Sequence, residues 1–109
     1  MNHEIFIKPR AELDLFEAFK FYDEQPSGLG DEFIRCVGAK LEFINRNPNA
    51  CPRMYKDFPR GLVSRFPYGI YYKIEGKRIV VFAVLDLRQD PERIRLRLTK
   101  ERKQNERVR

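Results

Sequence analysis

Apolar positions along the chain follow three rhythms in turn. The opening E-I-F-I, residues 4 to 7, is a short β-branched and aromatic run closed by Pro9, the pattern of a first strand. From Ala11 to Glu24 the apolar residues Ala11, Leu15, Ala18, Phe19 and Tyr22 recur at helical spacing and predict an amphipathic helix. Gln25-Pro26-Ser27-Gly28 breaks it, and a second helix starts at Leu29 or Asp31 with Phe33, Ile34, Val37, Leu41 and Ile44 on one face. Asn47-Pro48-Asn49 ends that helix, because a residue before proline is pushed out of the helical region. Two helices joined by about four residues form an antiparallel hairpin.

The stretch carrying Pro48, Pro52 and Pro59 reads as a loop, and beyond it the period drops to two. Tyr68, Ile70, Tyr72 and Ile74 then point one way, and Gly69, Tyr71, Lys73 and Glu75 the other. Glu75-Gly76-Lys77 is a compact turn into a second strand, Arg78 to Leu87, whose core I-V-V-F-A-V-L is apolar on both faces. One face can lie on the helix hairpin; the other needs a cover, either the C-terminal segment or a partner. Asp90 and Pro91 then suit the N-cap and first position of a short helix, followed by a basic tail from about residue 97 to 109 that frays. The sum is one α+β domain over residues 1–109: strand, helix hairpin, antiparallel meander and short C-terminal helix.

Charge sharpens this picture. The chain carries 22 Lys and Arg against 16 Asp and Glu, a net +6 that favours polyanionic partners. Residues 11–32 hold seven acids and one lysine, whereas basic residues dominate from Lys73 onward, so the two halves differ in electrostatic character. No apolar run approaches the roughly 18 residues that span a bilayer, and the start does not read as a signal peptide. Cys36 and Cys51 fall outside any C-x-x-C pattern and read as reduced thiols of a cytoplasmic protein, with no metal and no cofactor implied.

The segment S-R-F-P-Y-G-I-Y-Y, residues 64 to 72, raises the question of a phosphate site. Pro67 has no N–H and belongs at a strand start, edge or bulge. Phe66 and Tyr68 share a face and read as core, which leaves Arg65 on the opposite face, where it can join Arg60 and Arg88.

Five pieces in this order resemble one family. A-E-L-D-L-F-E-A-F-K-F-Y-D-E-Q, G-L-G-D-E-F, L-E-F-I-N-R-N-P, R-F-P-Y-G-I-Y-Y-K-I-E-G and A-V-L-D-L-R-Q-D-P are similar to the RelE/ParE superfamily of type II toxin–antitoxin toxins, also known as plasmid stabilisation proteins. The resemblance implies a growth-arresting toxin held inactive by a cognate antitoxin in a hetero-oligomer. It leaves two branches, one cutting messenger RNA on the ribosome and one poisoning DNA gyrase. Metal-independent RNA cleavage needs a base, an acid and cations around the phosphate. Nucleases of the family usually place a tyrosine or histidine near the C-terminus, yet here the last tyrosine is Tyr72 and the single histidine is His3. Gly69 and Asp86 stand where such relatives commonly carry arginine and histidine. These departures place the chain closer to the ParE-like branch, acting by binding.

The alternative is a ribosome-dependent endoribonuclease with Arg65, Arg88 and Asp86 as catalytic candidates, Asp86 otherwise being a hydrogen-bonded partner of Arg88 or Arg65. Arg60, Arg65, Lys73, Arg78 and Arg88 are the candidates for target or phosphate binding, with Tyr71 nearby on the sheet. A further alternative is a nontoxic nucleic-acid-binding module. For either toxin reading, Val80, Phe82 and Val84 on the uncovered strand face are the expected antitoxin contacts.

Overall fold

The computed structural model describes residues 3–107. Strand β1 (Glu4–Ile7) leads into helices α1 (Pro9–Asp23) and α2 (Gly30–Arg46). Strands β2 (Arg53–Tyr55), β3 (Phe58–Leu62), β4 (Tyr68–Glu75) and β5 (Arg78–Asp86) follow, and helix α3 (Pro91–Arg107) closes the fold. The strands form one sheet in the order β1-β5-β4-β3-β2, with β1 parallel to β5 and the remaining neighbours antiparallel. The α+β layout expected from the sequence is present, with two strands added inside the proline-rich stretch that reads as a loop.

Local chemistry explains the boundaries. Pro9 starts α1 at its first turn, where the missing N–H costs nothing and the ring pre-sets φ, so it opens a helix as well as ending a strand. Asp90 caps α3: its Oδ1 accepts the Glu92 N–H at 2.9 Å. Gly76 takes φ +62° in the β4–β5 turn, a conformation that an L side chain resists.

The hairpin packs on one face of the sheet over an aromatic cluster. Tyr22 and Phe33 stack with centroids 5.4 Å apart, and Phe66 and Tyr68 pack on them edge-on at 4.8 to 6.0 Å. Ile70, Tyr72, Ile79, Val81 and Val84 continue this core. Ile74, at the end of the Tyr68-Ile70-Tyr72 stripe, is instead exposed. On the opposite face, Leu98 and Ile94 of α3 cover Phe58, Tyr71, Val80, Phe82, Ala83 and Leu85. α3 runs to Arg107, beyond the expected short helix. Residues 97–107 of the expected tail are therefore helical, and 108–109 lie outside the described residues.

A bulge in β5 sets the register. Tyr71 pairs with Ala83 and Tyr72 with Val81, so Phe82 is an extra residue. Phe82 and Ala83 consequently both face α3, and the alternation resumes with Val84 under the hairpin. β1 pairs with β5 only as far as Val81, leaving the outer edge of β5 open beyond it. There the Val84 N–H donates to Asp14 Oδ2 of α1 at 3.0 Å. Arg97 of α3 meets the same carboxylate with two bonds, at 3.0 and 2.8 Å. Glu101 lies 3.6 Å from the Arg97 Nε and, like Asp14, is buried.

Candidate functional site

The structure places the five candidate cations in separate surroundings. Arg65 occupies the β3–β4 loop at φ +72°, which costs a non-glycine residue about 1 kcal/mol or more. Its exposed guanidinium is ion-paired with Glu32 in the first turn of α2. Arg88 is held by Asp86: its backbone N–H and Nε both donate to Oδ1, at 2.9 and 3.1 Å, and Nη2 donates to Oδ2 at 2.9 Å. Lys73 sits with its ammonium over the rings of Phe58 and Phe82, 4.9 and 5.5 Å from their centroids. Arg78 covers Phe6 on the outer strand β1.

Arg60 is half-buried and lies across β4, in a cleft of about 240 Å³ that also takes Tyr55, Tyr71, Ile94, Arg95 and Leu98. A Cβ on Gly69 would stand 2.9 Å from Arg60 Cδ and 3.2 Å from Leu87 Cδ2. A side chain at the Gly69 position, where nucleases of this superfamily commonly carry arginine, would have to displace the stem of Arg60. The Arg60 Nε is buried without a hydrogen-bond partner.

Of the candidate set, the structure brings together only Arg88 and Asp86. That pair lines a cleft of about 300 Å³ beside Asp14, Glu17, Phe21 and Tyr68, at the C-terminal end of β5. The Arg88 hydrogen bond holds the Asp86 carboxyl below the usual range, with burial opposing and the Coulombic attraction of Arg88 assisting. Asp86 is therefore an ionised partner of Arg88, the structural role weighed for it from sequence, and a poor proton acceptor at neutral pH. Burial pushes the Tyr68 phenol up to about 12, so it stays protonated. Lys73 lines a different cleft, with Pro48, Cys51, Arg53, Asp57 and Pro59. His3 lies against α2, its Nδ1 3.3 Å from the Asn45 carbonyl oxygen, away from all of these.

The expected antitoxin contacts require a correction. Val80, Phe82 and Val84 are buried within the chain, at 3, 0 and 3% exposure. The second apolar face of β5 is covered by α3, and the bulge turns Val84 toward the hairpin instead. The apolar surface that remains exposed lies elsewhere. Leu13 and Phe16 of α1 are 41 and 57% exposed and share one helix face with Lys20, whose ammonium lies over the Phe16 ring; Phe21 is exposed on another side of α1, at the Arg88 cleft. The helical spacing of Ala11, Leu15, Ala18, Phe19 and Tyr22 already leaves Leu13, Phe16 and Phe21 off the core side, but nothing in that spacing marks them as a contact surface.

Comparison with known proteins decides the family. The family model for the ParE toxin of the type II toxin–antitoxin system parDE matches residues 5–91. The chain belongs to the ParE toxin family. Among solved structures, one described as the chromosomal ParDE TA system from P. aeruginosa superposes with a TM-score of 0.69 at 11% identity. The match covers 78% of this chain and 96% of that one, and at such identity it supports the fold. No curated protein matches the sequence. Membership of the ParE family accounts for the five sequence pieces, and the part of α3 beyond residue 91 lies outside the matched span. No described helix is long and apolar enough to cross a membrane.

Proposed function

We propose that this ParE-family toxin arrests growth by binding a cellular target, DNA gyrase in the first instance, and not by cutting RNA. The observation that carries the reading is the dispersal of the would-be ribonuclease residues. Arg65 is committed to Glu32, and Arg88 to an Asp86 held ionised, while Arg60 and Lys73 line two other clefts. A general base, a general acid and a phosphate cradle have to converge within hydrogen-bond reach of one phosphodiester. Purified toxin titrated into gyrase-catalysed supercoiling of relaxed plasmid should inhibit it in proportion to toxin bound. Unimpaired supercoiling at saturating toxin would rule gyrase out.

The cognate antitoxin, in this proposal, neutralises the toxin by seating an apolar segment on Leu13 and Phe16 of α1. Phe16 is more than half exposed, so Phe16→Asp costs the free toxin little stability. Co-expression with the antitoxin should no longer rescue growth in the Phe16→Asp strain, while arrest by the variant alone persists. Full rescue would place the antitoxin on another surface.

A further inference from the structure

Beside the open edge of β5, the start of α1 and one side of α3 enclose a cleft of about 550 Å³, lined by Arg10, Arg93, Leu96, Arg97, Lys100 and Glu101. Arg97 is engaged by Asp14 and Glu101 at the base of this cleft. Arg10, Arg93 and Lys100 form no ion pair among the described residues, and all three are exposed. With the charges of Asp14 and Glu101 set against Arg97, the cluster keeps a surplus of positive charge. None of the six lining residues belongs to the candidate clefts of Arg60, Lys73 or Arg88, although Asp14, which engages Arg97, also lines the Arg88 cleft.

We infer that this cleft is a binding site for the phosphodiester backbone of a nucleic-acid strand. Three features select that ligand. Arg93 and Lys100 lie at i and i+7 on one side of α3, about 10 Å apart along its axis, and Arg10 of α1 lines the same cleft. These three cations, free of ion pairs among the described residues, can neutralise about three phosphates of one strand. Arginines predominate, and the guanidinium fork matches two oxygens of a phosphate at once. Leu96, at 51% exposure, is the single apolar side chain among the described residues of the lining, too little for the apolar centre that a protein interface needs. Affinity must therefore come from charge, the regime of sequence-independent nucleic-acid binding. The site is independent of the target proposed above and is separate from the exposed apolar face of α1.

The test uses the full chain and a short fluorescein-labelled oligothymidylate, read by anisotropy across a salt series. The slope of log K against log salt should be about −2, as expected for roughly three neutralised phosphates of a single strand. Arg93→Ala/Lys100→Ala should weaken binding by about tenfold and reduce the slope by about 1.4, the loss of two phosphate contacts. Arg35→Ala/Arg46→Ala removes the same net charge from exposed positions on α2 and should change affinity by less than about threefold. Circular dichroism keeps folding separate from binding. Equal losses in the two pairs would show diffuse charge and overturn the site, as would an unaffected Arg93→Ala/Lys100→Ala variant. Displacement of the oligonucleotide by polyglutamate at equal charge would overturn the phosphate assignment in favour of an acidic peptide.

Discussion

The two faces of the sheet are held by different means. Under the hairpin, Tyr22, Phe33, Phe66 and Tyr68 form a continuous aromatic cluster that grades into aliphatic core. Under α3 the apolar set is smaller, and polar links finish the attachment: Asp14 with Arg97 and Glu101, and the Tyr55 hydroxyl 2.8 Å from Thr99 Oγ1. Non-directional burial tolerates small displacements, whereas a buried ion pair is worth its desolvation cost only in one geometry. α3 is thus the layer whose docking depends on a few specific contacts. Asp14 is central among them, because one carboxylate caps the open edge of β5 and holds α3 at once.

This contrast can be broken at either side. Phe33 is fully buried among the rings of Tyr22, Phe66 and Tyr68, and Phe33→Ala should cost about 4 kcal/mol, read from urea denaturation as loss of the whole fold. Asp14→Ala leaves Arg97 facing Glu101 alone and orphans the Val84 N–H, for a loss of about 3 kcal/mol. Hydrogen exchange should show that loss concentrated in α3, with the hairpin still protected; uniform loss would erase the distinction between the faces. Adding Arg97→Met and Glu101→Leu together to Asp14→Ala should recover part of the stability, since no buried charge is then left without a partner.

Tyr68→Phe has the smallest effect, below about 1 kcal/mol at pH 7, since burial dominates the contribution of this side chain. Its signature is alkaline. The folded phenol is raised to about 12 against 10.0 for a solvent-exposed tyrosine, so the stability gained from keeping it protonated is complete below pH 10. That contribution is lost as pH climbs through 12. Thermal melts between pH 10 and 12 should therefore be flatter for the variant than for the parent.

Much of this architecture is legible in the sequence wherever a period is sustained. Phe33, Val37 and Ile44 mark α2, Tyr68 through Tyr72 mark β4, and Asp90-Pro91 marks the start of α3. β2 and β3 escape because R-M-Y and F-P-R-G-L are short, and Pro59 argues against a strand. Pro59 is accommodated where the β2–β3 register is irregular. The length of α3 was hidden by its charge: Ile94 and Leu98, four residues apart, are the apolar pair that docks it. The site residues were least legible. Arg97 finds Asp14 across 83 positions and Arg65 finds Glu32 across 33, and no local pattern announces either pair. The S-R-F-P-Y stretch divides accordingly. Phe66 and Tyr68 are core, and Arg65 is an exposed loop residue in ion contact with α2.

The central claim is that this ParE-family toxin acts by binding and leaves messages intact. Its most direct test is to induce the chain alone in a bacterium and map RNA 5′ ends within minutes. Growth arrest with unchanged 5′ ends is the predicted result. New codon-aligned ends that disappear in Arg65→Ala would contradict it and assign the arginine-dependent ribonuclease activity that the dispersed site argues against.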